Sequence, residues 1–249
     1  MRLYILLVIV GLLIGCKTYQ PSVNHVENIR ISEQNLSPDN QVEEIIAPYR
    51  EVLNQKMDEV IGELAVDLTK ERPESDIGNW LADMLLSEAE IMYKRPVDFA
   101  VQNHGGVRVN TMAKGPITVG EIYEVMPFDN NVEILSGDSA QVHKFLNHIA
   151  KSGGWPVSRT LKFTIENEEA MNITIRGKDL DGDTIYSFAL PDYIANGGSN
   201  SFFLRDYVRH STGTTIRDAF INYLRKATKN GEIQNPSKDG RVTAVEETK

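Results

Sequence analysis

A chain of 249 residues with a formal charge of −9 lacks the cationic surface on which non-specific nucleic-acid binding depends, which sets nucleic acid aside as a partner. Its single cysteine excludes an intramolecular disulfide and a thiolate metal site. Any anionic ligand must therefore meet cations placed locally by the fold.

In chain order, Arg2 is followed by an apolar run from Leu3 to Ile14 and then by Gly15-Cys16. A short basic region, an apolar stretch and small residues before a cut describe a secretory signal. The run is shorter than the roughly 20 residues of a membrane span, the competing reading being an uncleaved single-span anchor. Gly15-Cys16 looks like the lipobox of bacterial lipoproteins, in which the cysteine is lipidated and becomes the first mature residue. Residues 1–15 are thus expected to be a signal peptide and Cys16 the lipidation site, which accounts for the thiol. The protein is expected to be exported and lipid-anchored to the bacterial cell envelope. Lys17 is not an inner-membrane retention aspartate, which favours the outer membrane. Residues 16–41 read as a polar tether, 42–243 as one domain and 244–249 as a polar tail. The mature length of about 230 residues suits one large domain.

Ile45, Ile46, Tyr49, Val52 and Leu53 repeat at helical intervals, and Leu64, Val66 and Leu68 alternate as a short strand. The clearest helix carries Ile77, Trp80, Leu81, Met84, Leu85, Ile91 and Met92; Ser75 or Asp76 caps it and Pro96 forbids its continuation. Val97, Phe99 and Val101 form a strand running into Asn103-His104-Gly105-Gly106-Val107-Arg108. That places a glycine turn at a strand's carboxyl end, a common ligand position in α/β sheets. A short helix covers Val119 to Val125, and Val132 and Ile134 mark a strand. A helix opening at Ser139 would bury Val142, Phe145, Leu146 and Ile149 and stop at Gly153-Gly154. Alternation then marks Leu161 to Ile165, Met171 to Ile175 and Tyr186 to Leu190, and a last helix carries Ile216, Phe220, Tyr223 and Leu224 before Asn230-Gly231. Helices and strands mix without strict βαβ alternation, so the fold class is α+β, with a mixed sheet and packed helices in a single domain.

Each candidate motif has a plain reading beside a functional one. Gly105-Gly106 lets the backbone turn sharply, and Arg108 supplies planar charged donors for phosphate or carboxylate. Alone, the run is a turn followed by a surface arginine. Phe128, between Pro127 and a polar loop, and Tyr193, before Ala195-Asn196-Gly197-Gly198, are each core plugs or ligand contacts. Two aromatics on separate loops can sandwich a flat ring, with stacking worth about 1–3 kcal/mol per base. Arg72 is a solvated loop charge or a second cation facing an anion at Arg108. Asp179-Leu180-Asp181-Gly182-Asp183 fails the spacing of a calcium loop and reads as a hairpin turn. The five histidines do not fall into a metal motif, and no Gly-x-Ser-x-Gly elbow occurs. No catalytic residue and no metal ligand is assigned.

Together the motifs resemble the C-terminal domain of the 5′-nucleotidase family, in order from Glu74 to Arg241. They comprise Glu74-Ser75-Asp76-Ile77-Gly78-Asn79, the Asn103 to Arg108 run, Gly115-Pro116-Ile117-Thr118 with Met126-Pro127-Phe128, and Tyr193-Ile194-Ala195-Asn196-Gly197-Gly198. The resemblance implies a nucleotide- or nucleoside-binding domain in which Phe128 and Tyr193 clamp the base while Asn103 and Arg108 contact base, ribose or phosphate. Arg72 is the nearest candidate for a further family arginine. Ser199 stands where the family usually has an aspartate on the ribose. Family members carry a two-metal phosphatase domain N-terminal to this one, where this chain has a signal and a tether. The implied function is the substrate-recognition half of a 5′-nucleotidase-type hydrolase, with no cofactor of its own and a separately encoded metallophosphatase as partner. The alternative is a non-catalytic nucleotide-binding surface lipoprotein.

Overall fold

A computed structural model describes residues 40–245. The expected signal peptide, Cys16, the tether through residue 39 and residues 246–249 of the tail lie outside the described residues. The chain divides between Ala47 and Pro48 into two compact units. The described part of the first, residues 40–47, is helical, and this helix, α1 (Asn40–Met57), runs on into the second. Its Tyr49, Val52 and Leu53 lie exposed rather than in a core. The remaining architecture is that of residues 48–245.

At the centre is a mixed sheet of four strands, β3 (Phe99–Ala100), β6 (Asn131–Gly137), β10 (Tyr186–Pro191) and β11 (Val208–Thr215). Their order across the sheet is β11-β6-β10-β3. β10 pairs parallel with β3 and antiparallel with β6, and β6 pairs antiparallel with β11. Because side chains alternate across a strand, this sheet separates two apolar cores. Ala100, Val132, Ile134 and Ala189 belong to the first, with Trp80, Leu81, Met84 and Leu85 of α2 (Asp76–Tyr93) and Phe220 and Leu224 of α6 (Ile216–Lys229). Phe99, Leu135, Phe188 and Leu190 belong to the second, with Phe145, Leu146 and Ile149 of α4 (Ser139–Lys151). A second sheet contains β7 (Leu161–Glu166), β8 (Glu169–Ile175), β9 (Lys178–Asp179) and β12 (Val242–Ala244). Ordered β12-β7-β8-β9, it adds Leu161, Phe163 and Ile173 to the second core. The arrangement is α+β with a mixed sheet.

Local chemistry sets the helix ends. Ser75 caps α2, its hydroxyl accepting from the Gly78 amide at 3.1 Å. Gly78 is required there because a Cβ would lie 2.8 Å from the Pro156 ring. Lys94, at φ 56°, closes the helix ahead of Pro96. Capping boxes open α3 (Val119–Val125), through Thr118 and Glu121, and α4, through Asp138 and Gln141.

Two expectations are corrected. The strand expected over Leu64 to Leu68 is two strands, β1 (Val60–Leu64) and β2 (Leu68–Thr69), which pair with β5 (Gly115–Thr118) and β4 (Thr111–Met112). The bend between them is tied by Ala65 N–H to Gln234 O and by Asp67 to the Lys114 amide. The Asp179–Asp183 segment is not a hairpin turn joining Ile175 to Tyr186, because β8 and β10 belong to different sheets. The tight hairpin is Arg176-Gly177, at φ 51° and 74°, joining β8 to β9, as two left-handed residues allow. The Asp181 carboxylate instead folds the crossing segment by accepting from Thr184 Oγ1 at 2.8 Å.

Phe188 stacks on Phe99 with ring centroids 5.0 Å apart and planes 3° from parallel, and Phe145 lies 5.6 Å away. Phe188→Ala is expected to cost about 3–5 kcal/mol in urea unfolding. A loss below about 1 kcal/mol contradicts a core organised on this stack.

Candidate functional site

Strand direction places the site. β3 and β10 run parallel and β6 runs against them, so the carboxyl ends of β3 and β10 and the amino end of β6 lie at one end of the sheet. Three segments emerge there: Gln102 to Arg108 after β3, Met126 to Asn130 before β6, and α5 (Asp192–Ala195) with its following turn after β10. They enclose a cavity of about 440 Å³ lined by Asn103, Arg108, Phe128, Tyr193 and Ser199, with Gly105, Gly106 and Asn130.

Asn103 is buried, and its Oδ1 has no hydrogen-bond partner. The short 3₁₀ turn His104–Gly106 is closed by the Gly106 amide donating to Asn103 O at 2.9 Å. A Cβ on Gly106 would stand 2.8 Å from Asn103 Oδ1, so this glycine lets the amide side chain lie against the turn. The backbone of Arg108 donates to Val125 O at 3.0 Å and its guanidinium to Gly105 O at 3.3 Å, with Cζ 5.7 Å from the Phe128 ring centroid. Phe128 and Tyr193 are 44% and 48% exposed, so neither ring is a core plug. The Ser199 amide donates to Tyr193 Oη at 3.2 Å. Ser199 adopts φ 52°, ψ 34°, and its carbonyl meets His148 Nε2 at 2.9 Å. Gly198 is fixed by contact, since a Cβ there would lie 2.5 Å from the Tyr193 ring.

Arg72 is not among the cavity-lining residues. Its guanidinium donates to the carbonyls of Ser152 and, at 3.1 Å, of Gly154. A cation that sequence reasoning missed, Lys70, donates to Val107 O at 2.7 Å, beside the cavity's arginine. Only the pairing of β2 with β4 brings it there, so local pattern carries no sign of it. Lys70, Arg72 and Arg108 have no carboxylate partner among the described residues. Burial pulls the Lys70 ammonium below its ordinary range, and the charges of Arg108 and Arg72 add to that. His104 is pushed down to about 4 by burial, then by Arg72 and Lys70. It is therefore neutral at pH 7.

The Glu74, Gly78 and Asn79 motif has a different place. The Glu74 carboxylate accepts from Asn79 Nδ2 at 2.7 Å and from the amides of Asp239 and Gly240, and Asn79 donates to Ser237 O. It fastens the 237–241 segment to α2 and lies outside the cavity lining. Among the described residues, no group of three or more His, Cys, Asp or Glu side chains is arranged to hold a metal ion.

Residues 60–206 match the family model for the 5′-nucleotidase C-terminal domain. A 5′-nucleotidase of Vibrio parahaemolyticus is 30% identical over 202 residues, covering 77% of this chain and 35% of that relative. The solved structure of a 5′-nucleotidase precursor from Thermus thermophilus superimposes with a TM-score of 0.71 at 26% identity, covering 84% of this chain and 44% of that one. The NAD nucleotidase of Haemophilus influenzae shares the fold, with a TM-score of 0.62 at 16% identity over 84% of this chain and 42% of that one. This chain thus spans about a third of the length of the curated relative it matches.

His104 gives a pH prediction. Its folded value lies below the ordinary 6.5, so the unfolded chain binds the proton first and stability falls as pH drops from 6.5 towards 4. In thermal melts across that window, His104→Gln is expected to lose stability less steeply than the wild type. Parallel curves would count against a buried neutral imidazole.

Proposed function

The chain belongs to the 5′-nucleotidase C-terminal domain family, and on that footing we propose that it holds a nucleotide or nucleoside and presents the phosphate end to a separately encoded metallophosphatase. The observation that carries the reading is a single cavity lined by two exposed aromatic rings, Asn103 and an arginine that has no carboxylate partner among the described residues. Phe128 and Tyr193 would take the two faces of a base. Asn103 lines the same cavity and would contact the base, ribose or phosphate side of the ligand. Arg108, with Lys70 behind it, supplies positive potential for phosphate in a chain that is otherwise acidic. Ser199 lines the same cavity and would meet the ribose through a neutral hydroxyl. Arg72 would act on the anion at longer range, since its own donors are held by backbone carbonyls.

The described residues offer no donor set for a divalent ion, so no step of phosphate-ester hydrolysis is assigned to them. In this reading metals arrive with the partner, and the side chains here bind and orient. Lipidation at Cys16 would hold the module on the cell envelope, at the outer membrane.

Calorimetry with AMP and with adenosine on the full chain tests the binding claim. Both are expected to bind, and Phe128→Ala and Tyr193→Ala each to weaken binding by about 5- to 150-fold, the equivalent of one lost stacking face. Arg108→Ala and Lys70→Ala should weaken AMP more than adenosine. An absence of binding heat for both ligands overturns the proposal. Release of phosphate from AMP with divalent metal is expected only when a metallophosphatase lacking its own recognition domain is added. Turnover by this protein alone, purified free of phosphatase, would defeat the division of labour.

A further inference from the structure

Arg217 occupies the first turn of α6, where a cation opposes the positive end of the helix dipole. It is only 9% exposed. Its guanidinium lies 4.0 Å from the Tyr123 ring centroid. Nη1 donates to Met126 O at 3.4 Å, Nη2 pairs with the Asp129 carboxylate, and Nε has no partner. A buried cation with an orphaned donor is an expensive way to pack the foot of a helix, since an apolar side chain of similar volume often does it as well or better. What the guanidinium adds is geometry: its planar fork holds two points of one loop at once.

Those two points bracket Pro127 and Phe128. The neighbouring Ile216 amide donates to Asn130 O at 2.8 Å, and Asn130 lines the cavity. Thus two consecutive residues of α6 hold the segment that carries one aromatic wall of the cavity. The Phe128 ring is nearly half exposed and has the Arg108 guanidinium 5.7 Å from its centroid in place of a hydrogen bond, so its position depends chiefly on its backbone. We propose that Arg217 is the positioning residue for Phe128, setting the width of the cavity through the Met126–Asp129 loop. The consequence for binding rests on the cavity being a nucleoside site, whereas the hold on the loop does not.

Two measurements separate these. In hydrogen–deuterium exchange of the unliganded full chain, Arg217→Met is expected to speed exchange in the 126–131 segment while α4 and the β7–β8 hairpin stay as protected as in the wild type. Asp129→Ala, at a surface position, removes the same contact from the loop side and serves if Arg217→Met fails to fold. Unchanged protection of the 126–131 segment in the folded variants overturns the proposal. Adenosine calorimetry then forms a double-mutant cycle. Arg217→Met is expected to weaken binding about tenfold when Phe128 is present and less than about twofold in the Phe128→Ala background. Equal weakening in both backgrounds shows that Arg217 acts independently of Phe128 and overturns the positioning role. Failure of the wild type to bind adenosine refutes the nucleoside reading, and exchange in the 126–131 segment then decides the loop contact by itself.

Discussion

The parallel register of Phe188 with Phe99 and of Ala189 with Ala100 is the constraint on which the cavity depends. Two residue pairs are little backbone bonding, and parallel pairing is the slightly weaker kind. The hold therefore comes from packing. On one face Phe99, Phe188 and Phe145 stack, and on the other the small Ala100 and Ala189 join the core that contains α2 and α6. A slip of one residue would exchange aromatic and alanine faces and leave each core with the wrong volumes. The same register sets how far Asn103, three residues beyond β3, stands from Tyr193, two residues beyond β10. Core packing and site geometry are thus one requirement.

The elements legible in the sequence are those whose ends are decided by neighbours in the chain. Ser75 and Pro96 bound α2, the capping boxes open α3 and α4, and Asn230-Gly231 ends α6. The unread parts are decided by distant partners. β11 is largely polar and exposed at the edge of its sheet, so it carries no apolar alternation, and only its pairing with β6 makes it a strand. The Leu64 to Leu68 alternation breaks because Gln234 and Lys114 bond to the bend. Within the site, Asn103, Arg108, Phe128 and Tyr193 could be picked out because they sit in glycine- or proline-marked loops, and Ser199 through the family resemblance. Lys70, Arg217 and His148 could not, since each reaches the site across the fold and lies in no such motif.

Burial lowers the Lys70 ammonium most, the charges of Arg108 and Arg72 lower it further, and no described carboxylate relieves the three cations. Carbonyl oxygens take that place: Val107 for Lys70, Ser152 and Gly154 for Arg72, and Gly105 for Arg108. Dipoles orient these cations without neutralising them, so the field at the cavity remains positive. The carboxylates pair with other cations instead, as where Arg241 lies among Asp83, Asp239 and Glu74 and where Arg217 meets Asp129. The molecule therefore separates cations paired with carboxylates from cations held by backbone carbonyls.

The hydrogen bond from the Ser199 amide to the Tyr193 hydroxyl has no counterpart at Phe128, whose ring instead meets the Arg108 guanidinium 5.7 Å from its centroid. A phenol tied to its own turn has given up rotamer freedom during folding, whereas a phenyl held by no hydrogen bond keeps more of it. The two faces are therefore unequal in freedom as well as in chemistry. One ring is held by its own turn, and the other by the backbone beneath it.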